Sequence, residues 1–145
     1  MNISILRILF SIFLVAHGLM TMSLATVPVP TQGALRTPYF PAWWRANVDD
    51  AWPAMRMGLN PSLVRAAGWL LWLAILALFV AAGVGLLGLP GLTGIWQTLA
   101  LVAAVLSLIL LTFYWHPWLV VGVLLNIGIA GGVYLGWFTR WFAVR

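Results

Sequence analysis

The chain has no cysteine among its 145 residues, and neither lysine nor glutamate occurs. Without cysteine it has no structural disulfide, no thiolate ligand for zinc or an iron–sulfur cluster, and no dithiol redox pair; the compartment stays open. Charge is equally scarce. Asp, Glu, Lys and Arg together make up 6% of the residues, against roughly 25% in an average soluble domain. From Ala66 to Thr139 there is none at all. No soluble domain of this size can keep such a stretch from water. At 1.5 Å rise per residue, about 20 apolar residues cross a hydrocarbon core of about 30 Å, so the stretch holds about three crossings with their turns. The expectation is a single transmembrane domain over residues 1–145.

The charges that remain are Arg7, Arg36, Arg45, Arg56, Arg65, Arg140 and Arg145, set against Asp49 and Asp50. They flank the apolar segments and form no clustered basic face on a soluble element. That arrangement argues against a nucleic-acid partner and makes the arginines headgroup anchors.

What the chain does have is hydrophobic residues, 64% of the total, and ten tryptophans. Their arrangement predicts an all-α integral membrane four-helix bundle, with crossings at about 3–22, 61–87, 95–113 and 117–138. Ser23-Leu24-Ala25 resembles a signal-peptide cleavage site, but the run before it is long enough to span, so it is read as a retained first helix. Asn60 supplies an N-cap and Pro61 the first helical position of the second helix, and Pro117 takes that position in the fourth, behind His116. Gly88, Leu89-Pro90-Gly91 and Gly94 break the chain between the second and third. The long first loop holds Pro28, Pro30, Pro38, Pro41 and Pro53, which exclude one continuous helix there. Within it, 41–52 reads as a short interfacial helix, with Trp44, Val48, Ala51 and Trp52 on one side and the Arg45/Asp49 pair on another. Most tryptophans fall at helix ends as interfacial belts: Trp43, Trp44, Trp52, Trp69, Trp96, Trp115, Trp118, Trp137 and Trp141. Four crossings place both termini on one side. The arginine distribution nearly cancels, and a cytoplasmic placement of the termini is adopted.

No catalytic motif and no metal-ligand spacing is present. Four residues are candidates for holding a cofactor: His17, Asn126, His116 and Trp72. An ionisable residue inside a span is a functional candidate by default. His17 either bonds a carbonyl, a hydroxyl or the loop above it, or contacts a quinone, or ligates a haem or chlorophyll-type pigment through its imidazole. His116, in Tyr114-Trp115-His116-Pro117-Trp118, fits a helix-end residue as well as a ligand. Asn126 falls near the midplane, where a buried amide bonds a neighbouring helix or a ligand. Trp72 is the one tryptophan expected to lie deep, packing on other helices or on a cofactor ring. Gly128, Gly132 and Gly136 form a GxxxGxxxG stripe read as a helix-packing surface, with Ala74, Ala77, Ala81 and Gly85 in the second helix and Ala100, Ala104 and Ser107 in the third as matching small faces.

Arg7, the apolar run into Val15-Ala16-His17-Gly18-Leu19, and three further crossings with Gly68, Gly83 and Gly85 in the second together resemble the DoxX-like family of small four-helix membrane proteins. That family includes a quinone-linked oxidase subunit. The resemblance implies an accessory role near respiratory redox chemistry, in the bacterial inner membrane; the carboxylate often expected in the family's second helix has no counterpart around Trp72. Two functions follow as expectations. The first is a non-catalytic accessory or structural subunit packing against lipid and larger membrane partners, such as those of a respiratory or photosynthetic complex, because so few acid–base or ligating groups are available. The second is a quinone- or pigment-binding redox protein. A transporter ranks third, for want of a charged residue in the apolar parts of helices two to four.

Overall fold

A computed structural model of the chain describes residues 5–23, 58, 60–113 and 119–142. The expected interfacial helix at 41–52 and His116 lie outside the described residues. Those that are described form helices and turns only: α1 (Ile5–Ser23), α2 (Pro61–Leu86), α3 (Trp96–Phe113), α4 (Val120–Tyr134) and α5 (Trp137–Trp141). Among the described residues, three helices are long and apolar enough to cross a membrane, over Ile5–Met22, Ala66–Leu86 and Trp96–Phe113. They indicate an integral membrane protein.

Neighbours in sequence pack as antiparallel neighbours in space. Gly18 of α1 meets Phe79 and Leu76 of α2, while Gly83 of α2 meets Ser11 and Val15 of α1, so one number falls as the other rises. The same inverse register joins α3 to α4 and its continuation, through Ser107 with Asn126 and Gln97 with Thr139. It also joins α1 to α4 and the segment after it, through His17 with Asn126 and Phe10 with Phe138.

The turns explain the reversals. Gly88 takes a positive φ of 102°. Its N–H donates to the Gly85 carbonyl at 3.0 Å, and the Leu89 N–H reaches back to Val84 at 3.4 Å. This pair of bonds is the Schellman closure, which needs a left-handed residue and so favours glycine. The fourth helix stops short of the expected 138 for the same reason. Gly136 sits at φ 64° and its N–H donates to Val133 at 3.1 Å, so α4 ends at Tyr134 and the chain re-forms as the short α5.

The core gathers Leu14, Trp72, Ile75, Phe79, Ala103 and Leu110 with their neighbours, all of these fully buried. Outward positions are as apolar as inward ones: Leu70 and Leu73 on α2, Val102, Val105 and Ile109 on α3, Leu124 and Ile127 on α4 are exposed. A helix apolar all round is at home only in lipid or a large core. With lipid as the competing solvent, association rests on close packing and hydrogen bonds more than on apolar burial. Gly83 supplies one such close approach between α1 and α2. A Cβ there would lie 3.1 Å from the Ser11 carbonyl oxygen, and the Ser11 hydroxyl donates to the Gly83 carbonyl at 2.8 Å. Ala100, Ala104 and Ser107 face inward, whereas Ala74 and Ala77 of the expected small face on α2 turn outward. Periodicity carries no information about which face is which when both faces are hydrophobic.

Candidate functional site

His17 lies in the last third of α1, six per cent exposed, and Asn126 in the first half of α4, fully buried. The structure brings the two together: His17 Nε2 is 3.1 Å from Asn126 Oδ1. The carboxamide nitrogen of Asn126 donates at 2.9 Å to the Ser107 hydroxyl on α3 and at 2.9 Å to the Gly122 carbonyl one turn back on α4. A carbonyl only accepts, so the Gly122 contact fixes the nitrogen end of the amide and leaves Oδ1 facing His17. Two acceptors facing each other would repel. His17 therefore carries its proton on Nε2 and donates it. The result is one amide tying α1, α3 and α4 together. Thr21 completes the local set, its hydroxyl donating to the His17 carbonyl at 2.9 Å.

The imidazole is enclosed by aromatic rings. Phe13, one turn earlier on α1, stacks on it at 5.9 Å between centroids with planes 15° apart, and Phe79 of α2 meets it edge-on at 5.0 Å. With its proton donated to Asn126, Nε2 has no lone pair for an iron or magnesium, and ligation through it would first break the Asn126 bond; the ring's lone pair is then on Nδ1. A quinone carbonyl seeking the same proton meets the same competition. Trp72 is buried in the hydrophobic core with Leu14, Ile75 and Phe79.

The glycine stripe is divided. Gly128 faces open space, Gly132 lies under the ring of Phe138, and Gly136 is the left-handed stop that ends α4. Gly18 and Gly83 are where helix backbones come close. Both were visible in the sequence, but not their partners.

A second polar cluster lies at the other end of the helices. The Arg7 guanidinium donates to the Phe142 carbonyl. Gln97 and Thr139 hydrogen-bond one another at 3.2 Å. Beneath them Phe10 contacts Phe138 at 4.7 Å, Phe142 at 5.4 Å and Trp96 at 6.4 Å, an aromatic knot joining α1, α3 and the chain after α4. Trp96, expected in an interfacial belt, is buried in this knot, while Trp137 and Trp141 are exposed and stacked at 6.2 Å. Arg7 was legible as an anchor; the knot was not, since nothing in a one-dimensional pattern pairs Phe10 with Phe138.

Comparison with known proteins finds no family model, no curated protein and no solved structure that matches this chain.

Proposed function

We propose that this protein is a non-catalytic integral membrane subunit, a four-helix bundle that contributes packing surface to larger membrane partners or to lipid. One observation carries the proposal: three polar groups suited to chemistry, His17 through Nε2, Asn126 and Ser107, hydrogen-bond one another across three helices. In hydrocarbon such bonds hold helices in register. The fourth crossing belongs to this proposal. The 15 residues of α4, apolar apart from Asn126 and the Tyr134 hydroxyl, cover about 22 Å by helical rise, and residues on either side of it would supply the rest. The DoxX-like resemblance fits the same role, an accessory component in the bacterial inner membrane with both termini in the cytoplasm.

The test is purification in mild detergent, with a visible spectrum, an organic extract and identification of co-purifying proteins. The expected result is stoichiometric recovery of one or more membrane proteins and an extract in which no quinone or pigment follows the protein. A pigment band or quinone present in the wild type and lost in a folded His17→Ala variant would replace this proposal with the redox-linked one.

A further inference from the structure

A cavity of about 260 Å³ opens beside the aromatic knot, lined by Arg7, Trp96, Gln97, Phe138, Thr139 and Phe142 among others. It sits where α1 and α3 begin, where α2 ends, and where the chain turns from α4 into α5. In a bilayer that level is the headgroup boundary, and the exposed, stacked Trp137 and Trp141 next to it are the side chains that settle there. Among the described residues, no carboxylate side chain lines it. The only two in the sequence, Asp49 and Asp50, fall in the link between α1 and α2, outside the described residues.

The chemistry of the walls is mixed in a specific way. A planar cation, an amide and a hydroxyl stand over an aromatic floor. The Gln97 amide and Thr139 hydroxyl are each able to donate or accept, and their mutual bond is long enough, 3.2 Å in one sense and 3.4 Å in the other, to be exchanged for a ligand. The volume is below the roughly 300–1,000 Å³ of a pocket for a drug-sized molecule, yet far above the 10–15 Å³ that one water needs. It suits a small polar head whose apolar remainder lies outside. Leu6 and Leu9, both exposed on α1, offer that remainder a surface.

We propose that this cavity binds the phosphate headgroup of an anionic phospholipid, with Arg7 as the charge partner, Gln97 and Thr139 as hydrogen-bonding groups, and the Trp96, Phe138 and Phe142 rings against the glycerol. An arginine fork matches phosphate oxygens in pairs, which a neutral headgroup cannot repay. The proposal rests on the membrane placement above and on no particular partner.

The full-length protein, reconstituted in phosphatidylcholine bilayers containing phosphatidylglycerol and then delipidated, is examined by native mass spectrometry. The wild type is expected to retain about one phosphatidylglycerol per chain, with a preference over phosphatidylcholine of roughly five- to tenfold. Arg7→Gln is expected to abolish that preference and Gln97→Leu or Thr139→Val to weaken it. Arg140→Gln, an exposed charge outside the cavity, is expected to leave it unchanged. Should Arg7→Gln fail to fold, the Gln97 and Thr139 variants, which keep the cation, carry the test. Equal retention of the two lipids overturns the proposal, as does an equal loss in Arg140→Gln, which would make the preference a general surface effect. So does displacement by inorganic phosphate alone, which would assign the cavity to a free anion, and so does retention of a neutral quinone in place of lipid. A chain that does not enter the bilayers at all would instead refute the membrane placement itself.

Discussion

Asn126 is the residue on which three helices depend. Its Oδ1 accepts from His17 and its Nδ2 serves both Ser107 and Gly122. Replacing it with leucine keeps the bulk and removes every one of these bonds, leaving an imidazole and a hydroxyl buried without that partner. In water-soluble proteins such an orphan costs about 1–3 kcal/mol; between membrane helices measured couplings average about 0.6 and reach about 1.7 kcal/mol. Asn126→Leu is therefore expected to cost about 1–2 kcal/mol, and Ser107→Ala less. A double-mutant cycle of His17→Ala and Asn126→Ala, followed by unfolding in mixed detergent micelles, should return a coupling of about 0.5–1.7 kcal/mol. Strict additivity would show that the bond contributes nothing. Both residues stand out in the sequence because each is a polar group in an apolar run. Their partnership does not, since 109 positions separate them, and two polar residues on different helices give no sign of which neighbour each will meet.

At the scale of the helix, the informative contrast is between two glycines. A methyl group on Gly83 would sit 3.0 Å from Val15 and 3.1 Å from the Ser11 carbonyl oxygen, so α1 itself would have to move. One on Gly128 would meet nothing. Gly83→Ala is expected to destabilise the protein by about 1–3 kcal/mol, the usual cost of overpacking. Gly128→Ala is expected to be neutral or to stabilise by up to about 1 kcal/mol, through helix propensity. Detergent unfolding of the pair in parallel decides it, and the reverse order would mean that α4, not the α1–α2 contact, is the tight seam. The helices themselves were legible from the missing charge and from the proline and glycine punctuation. Their facing was not. In a soluble helix polar residues mark the outside; here Leu70 on the outside and Ile75 on the inside are chemically alike. The stop at Gly136 was hidden for a related reason, because a glycine spaced four from Gly132 fits a packing stripe as well as it fits a left-handed cap.

For the molecule as a whole, the inverse register fixes which ends share a side. The start of α1, the turn around Leu89 and the short α5 lie together; Gly58 and Asn60, before α2, lie at the other end. Because the chain has no cysteine of its own, single replacements report cleanly. Leu89→Cys and Arg140→Cys are expected to react with an impermeant maleimide from one side of the bilayer, and Asn60→Cys from the other. Labelling of Leu89→Cys and Asn60→Cys from the same side would refute the helix order as membrane crossings. The bond between His17 and Asn126 also has a meaning in time. A ribosome adding about 5–20 residues per second needs roughly 5–22 s to make the 109 positions between them. During that interval the first helix is without its Asn126 bond, which the arrival of α4 supplies. A chain arrested before α4 would therefore hold α1 without the bond that ties it to α4.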